Sequence, residues 1–177
     1  YDVDGIVFDD YFYAYGGTPT TLDAATQRLY KPANKSVGDW RRENVNKMIK
    51  AVYDTIQAIK PYVKFGVSPF GTWTTNESVA TSRGITLPQG VGLTGNMYEE
   101  IYCDPIAWLE EGTVDYISPQ LYWASTSIYP YGILANWWSN IASQFGRHFY
   151  SSHSTSSLSG APAATKQIVF RNDTINI

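Results

Sequence analysis

One cysteine, Cys103, in 177 residues excludes an intrachain disulfide and a cysteine-based metal cluster. Charge is equally sparse. The net charge is −3, from 13 Lys and Arg against 16 Asp and Glu, and no basic run gathers the positive charge that a nucleic-acid backbone demands. No apolar run approaches the roughly 20 residues needed to cross a bilayer. No basic leader with an apolar segment precedes the first strand pattern, so any export signal is expected to lie upstream or to have been removed. Nothing requires a metal or an organic cofactor, although the adjacent Asp9 and Asp10 could hold a hard cation such as calcium or magnesium. The expectation is one domain, 1–177, with a substantial core.

Aromatic residues are plentiful: 15% of the chain, with 14 Tyr and 6 Trp. Many cluster near expected strand ends, where their rings suit the apolar faces of sugars, while others will serve the core.

The stretch Asp4–Tyr13, DGIVFDDYFY, is an apolar run that ends in two acids and a group of aromatics. As a strand it places Gly5, Val7, Asp9 and Tyr11 on one face and Ile6, Phe8 and Asp10 on the other. In a β/α barrel the face with small residues fits the crowded interior, and catalytic groups sit at the C-terminal strand ends. Asp9 is therefore the first catalytic candidate and Asp10 the second, with the capping of the following loop as an alternative role for Asp9.

A long loop, 14–38, should follow, then a helix capped by Asp39 and ending at Pro61, with Val45, Met48, Ile49, Val52, Ile56 and Ile59 at helical spacing. Arg41 and Arg42 in its first turn oppose the helix dipole, which suggests a specific acidic partner for at least one of them. A second strand, 63–70, should point Gly66, Ser68 and Phe70 inward. The Gly/Thr/Asn/Ser-rich stretch 71–96, carrying Trp73, shows no clear periodicity. A helix over 98–112 follows, with Asp104 placed to cap a turn starting at Pro105. In a third strand, 114–123, Tyr116, Ser118, Gln120 and Tyr122 alternate inward, a polar set that needs hydrogen-bonding partners such as a hydroxyl-rich ligand. A helix over 131–145, a fourth strand over 148–153 ending at His153, and a short helix near 163–170 complete the pattern. Four β-loop-α units argue for an α/β fold of (β/α) TIM-barrel type with parallel strands. A closed barrel typically takes ~250 residues, so four units amount to about half of one. The open side is expected to be covered by further chain or by a second copy in a homodimer.

Four blocks, Asp4–Tyr13, Asp39–Asn46 (DWRRENVN), Phe65–Gly71 (FGVSPFG) and Asp115–Trp123 (DYISPQLYW), resemble the glycosyl-hydrolase-like family 10 of bacteria in order and spacing over nearly the whole chain. The resemblance implies a TIM-barrel glycosidase acting on bacterial or complex glycans, in some relatives on peptidoglycan glycan strands stripped of peptides. It also implies a secreted, periplasmic or cell-surface location, and strands corresponding to roughly the fourth through seventh of the barrel. A looser similarity to the chitinase-type Asp-Gly-X-Asp-X-Asp-X-Glu strand breaks at Tyr11, which stands where the acid glutamate would be.

The expected function is glycoside hydrolysis with Asp9 as nucleophile or base. The substrate-binding candidates are Tyr11, Tyr13, Ser68, Phe70, Trp73, Gln120, Tyr122, Trp123 and His153. Glycosidases usually need a second carboxyl group, for which Glu77, Glu99, Glu100 and Asp104 are candidates. The alternative is a non-catalytic glycan-binding domain, which needs the aromatic cleft but no second acid.

Overall fold

The computed structural model describes residues 1–9, 12–16, 18–92, 95–154 and 156. Asp10, Tyr11 and the helix expected near 163–170 lie outside the described residues. Four strands, β1 (Gly5–Asp9), β2 (Lys64–Ser68), β3 (Tyr116–Ile117) and β4 (His148–Phe149), form one open parallel sheet in the order β1-β2-β3-β4. This is half of a TIM-barrel type sheet, as the alternation of elements suggests.

Strands β2 and β3 stop short of their expected ends where proline interrupts them. Pro69 and Pro119 have no N–H to give the ladder. Pairing resumes one residue later, where Phe70 bridges Gln120 and Gln120 bridges Ser152. The pleat then sorts the side chains. Phe65, Val67, Ile117 and Phe149 point outward into a core shared with Ile106, Trp108, Leu109, Leu134 and Trp138 from the covering helices. Gly66, Ser68, Tyr116 and Ser118 face the concave side.

Helix α2 (Val37–Ile59) begins two residues before Asp39. Ser36 is the N-cap: its Oγ accepts from the Asp39 backbone N–H at 3.1 Å and donates to Asp39 Oδ2 at 2.6 Å. The serine hydroxyl thus ties the helix start to Asp39 twice, through its backbone N–H and its carboxylate, which is why an Asp-based cap at 39 lies three residues late. Of the expected apolar stripe, Val45 and Ile49 are buried, whereas Met48 and Ile59 are exposed. The loop before α2 contains a short helix, α1 (Ala24–Tyr30), that buries no residue of its own.

The stretch 71–96 holds α3 (Glu77–Ser82), capped by Asn76. The expected 98–112 helix is two pieces, α4 (Met97–Glu100) and α5 (Pro105–Glu111). Pro105 occupies the start of α5, where its missing N–H is harmless, and Asp104 accepts from Ala107 N as its cap. Helix α6 (Tyr131–Gln144) buries Leu134, Trp138 and Ile141, and its Trp138 Nε1 donates to Gly71 O at 2.9 Å.

Candidate functional site

At the C-terminal ends of the strands the concave face opens into a hollow of about 550 Å³ lined by Val7, Asp9, Ser68, Tyr116, Ser118, Tyr122, Tyr150 and Ser152. All of these come from the four strands or their immediate extensions. The period of two built the site. Below, Tyr116 lies across Gly66, where an added Cβ would come 2.2 Å from the ring, and its hydroxyl donates to Ile6 O at 3.2 Å. Burial first, then the neighbouring Tyr150 and Asp115, raises the Tyr116 pKa above the ordinary phenol value, which keeps it a neutral donor. Above it runs a row of hydroxyls on three successive strands: Ser68 Oγ and Ser152 Oγ are 3.1 Å apart, and Ser118 Oγ and Ser152 Oγ 2.8 Å.

Asp9 stands exposed at the rim. Gln120 Nε2 donates to Asp9 Oδ1 at 2.6 Å and to Ser68 O at 3.1 Å. Since Gln120 is buried, its amide is held between strand backbone and carboxylate, and it fixes Asp9 with one oxygen engaged. A second hollow of about 290 Å³ adjoins through Tyr122, which lines both, with Tyr15, Phe70, Gly71, Thr72, Gly95, Gln120, Trp123 and Tyr129 completing its lining.

Of the substrate-binding candidates, Ser68, Phe70, Gln120, Tyr122 and Trp123 line one or both hollows together with the catalytic candidate Asp9. The other described candidates lie elsewhere. Trp73 is buried in the core, its indole N–H satisfied by Asp104 Oδ1 at 3.1 Å. Tyr13 packs edge-on against Tyr102 and beneath the Arg41 guanidinium. His153 Nε2 is 2.7 Å from Ser151 Oγ, and its ring lies beside Tyr131. Tyr15, Tyr129, Tyr150 and Ser152 line the hollows without having been singled out in the sequence. The alternation of Tyr150 and Ser152 in the fourth strand repeats that of Ser118 and Gln120 in the third, and it was the available signal for both.

Among the described lining residues Asp9 is the single carboxylate. Glu99 accepts from Thr74 Oγ1 at 2.6 Å and Glu100 from Asn96 N at 3.3 Å, while Glu77 sits in the first turn of α3. Asp104 is enclosed: it receives Trp73, Ala107 and Arg83, the last at 2.6 Å. Burial pushes its pKa up, and the Arg83 charge opposes that shift. It borders a separate charged groove against α2. Among the described residues no group of three His, Cys, Asp or Glu could hold a metal ion, and no helix is long and apolar enough to cross a membrane.

Known proteins carry the same sequence pattern. The family model described as glycosyl hydrolase-like 10 matches residues 1–169. Glycosyl hydrolase YngK of Bacillus subtilis (strain 168) is 40% identical over 153 residues, covering 85% of this chain and 29% of the relative. Glycosyl hydrolase DigH of Escherichia coli (strain K12) is 42% identical over 143 residues, covering 80% of this chain and 31% of the relative. The chain thus spans about three-tenths of the length of these curated relatives. With a half-barrel sheet, a carboxylate held at its C-terminal rim and a family match over nearly all of its length, the chain belongs to the glycosyl hydrolase-like 10 family.

Proposed function

We propose that the concave face is the substrate cleft of a glycoside hydrolase acting on a bacterial or complex polysaccharide, with Asp9 as its nucleophile or base. The observation that carries this reading is the 2.6 Å hydrogen bond from Gln120 to Asp9 at the rim of the hollow. It occupies one carboxylate oxygen and leaves the other for the substrate or for an attacking water. The hydroxyls of Ser68, Ser118, Tyr122 and Tyr150 around it offer both donors and acceptors, which is what a ligand of many hydroxyls needs. The relatives' names, both glycosyl hydrolases, support the same reaction class. A cleft for such polymers fits a secreted, periplasmic or cell-surface protein.

Glycosidases pair two carboxyl groups, roughly 5–5.5 Å apart for retention and 6.5–9.5 Å for inversion. A second reading, a non-catalytic glycan-binding face, is favoured by the single carboxylate among the described lining residues. Hydrolysis of a glycan panel by the intact protein separates the two. The hydrolase reading expects turnover that falls at least about a hundredfold in Asp9→Asn. Equal turnover by the two proteins would overturn the role of Asp9, and saccharide binding without any turnover would establish the binding face instead.

A further inference from the structure

The hollow beside Asp9 differs in chemistry from the one that contains it. Its walls are rings: Tyr15 meets Phe70 edge-on at 5.4 Å between centroids, and Trp123 lies 4.7 Å from Tyr129 with the planes inclined by 34°. Trp123 is brought close to the backbone by Gly71, where a Cβ would come 2.4 Å from its Cζ3 and 2.8 Å from Gln120 O. No charged side chain is among its described lining residues. Tyr122 lines both hollows, and Gln120, in the lining of this one, reaches Asp9 in the other. Both N–H groups of Gln120 are committed, one to Asp9 Oδ1 and one to Ser68 O, so what it offers a ligand is the acceptor Oε1.

We propose that Tyr15, Phe70, Gln120, Tyr122, Trp123 and Tyr129 form a separate subsite for one uncharged pyranose ring, next to the sugar that meets Asp9. The inference rests on the glycan reading of the cleft and adds to it the place and the class of the neighbouring sugar. Four pieces of chemistry lead there. The volume, about 290 Å³, lies at the small end of ligand sites and suits a single ring rather than a folded-over chain. Aromatic walls match the apolar C–H faces of a pyranose, with the tyrosine hydroxyls at their edges reaching its equatorial hydroxyls. A lining with no charge among its described residues gives a uronate carboxylate or a sulfate no counter-ion there, so taking such a group out of water would go uncompensated. The shared Tyr122 and the Gln120–Asp9 bond make the two sites neighbours on one strand of sugar, since a ligand hydroxyl on Gln120 Oε1 would be held by the same amide that orients Asp9.

Calorimetric titration of the intact protein tests this, with cellotriose and tri-N-acetylchitotriose as neutral probes and trigalacturonate as the charged one. At least one neutral trisaccharide should bind, with affinity falling about tenfold in Trp123→Ala and in Tyr15→Ala. Trigalacturonate should bind at least about tenfold more weakly than the better neutral probe. Tyr15 is 69% exposed, so its truncation leaves the fold intact even if the Trp123 variant fails to fold. Binding unchanged in both aromatic variants, trigalacturonate bound as tightly as the neutral probes, or no binding of either neutral probe would overturn the subsite. Asp9-dependent hydrolysis alongside binding indifferent to Tyr15 and Trp123 would overturn it alone and leave the catalytic reading standing.

Discussion

Gly66 and Tyr116 show how much of the cleft hangs on single side chains. The Tyr116 ring occupies the space that any Cβ on Gly66 would need, and from there its hydroxyl reaches the backbone of the first strand. Gly66→Ala must push the ring out of this position. We expect a loss of about 1–3 kcal/mol, typical of overpacking, read as a lower denaturation midpoint at unchanged slope. An unchanged midpoint would show that the ring moves freely. Gln120 is the second such residue. Gln120→Ala removes the donor to Asp9 and leaves Ser68 O without this partner, so turnover should fall about 10–100-fold through loss of orientation. The accompanying stability loss should stay near 1–2 kcal/mol, the effect of one unmade buried hydrogen bond. Steady-state kinetics and thermal melts on the same protein separate the two effects. These inward residues were legible from alternation alone. The placements of Trp73 and Tyr13 were not, because a ring beside a strand end suits a core or a cleft equally until its neighbours are known.

At the scale of elements, the ties between helix and loop decide the shape of the rim. Because Arg41 and Arg42 oppose the helix dipole, an acidic partner is expected for at least one of them; both have one, Asp23 at 2.5 Å from Arg41 and Asp39 at 2.7 Å from Arg42. The Arg41 guanidinium, fully buried, also donates to Thr18 O and Pro19 O, and so holds the loop that follows Tyr15 against α2. Hydrogen bonding from Arg41, foremost, holds the Asp23 carboxyl below its usual range. Asp39 is lowered likewise, first by Ser36 and then by Arg42. A depressed folded-state pKa contributes stability that is fully present above the ordinary carboxylate value of about 3.9. That contribution is lost as pH falls through the folded value. Arg41→Met should therefore destabilise the protein by about 2–4 kcal/mol at neutral pH, since it leaves Asp23 unpaired. It should also flatten the dependence of stability on pH below about 4. Urea unfolding between pH 3 and 7 checks both, and parallel pH profiles for the two proteins would refute the clamp. Helix α1 left no trace in the sequence because it buries nothing, and periodicity reports only faces that are buried. The start of α2 was misplaced because Ser36 and Asp39 share one cap.

For the whole molecule the dominant fact is the open sheet. Among the described residues strand β1 has one neighbour, and Val7, which would fill the interior of a closed barrel, is 54% exposed beside Ile6 at 37%. A free parallel edge with apolar side chains invites pairing. We propose that this side is covered in the native protein, and that the 177-residue chain by itself covers it with a second copy. Its mass by light scattering should then exceed the 19.8 kDa of one chain, and Val7→Lys should return it to that value. A monomeric wild-type chain would contradict this. The half-barrel architecture was legible from the alternation of β and α patterns, because each pair of successive parallel strands needs a crossover and the sequence spells out the three that link these four strands.

On this reading sugars meet the protein at the C-terminal rim of the sheet, beside Asp9. A structure of the intact Asp9→Asn protein with a bound oligosaccharide tests that claim most directly. One sugar ring should lie against the Ser68, Ser118 and Tyr150 side chains, with its glycosidic oxygen within hydrogen-bond reach of residue 9. The adjoining ring should lie against Trp123. An oligosaccharide seated in the charged groove between Arg42 and Asp104, or anywhere else away from residue 9, would contradict it.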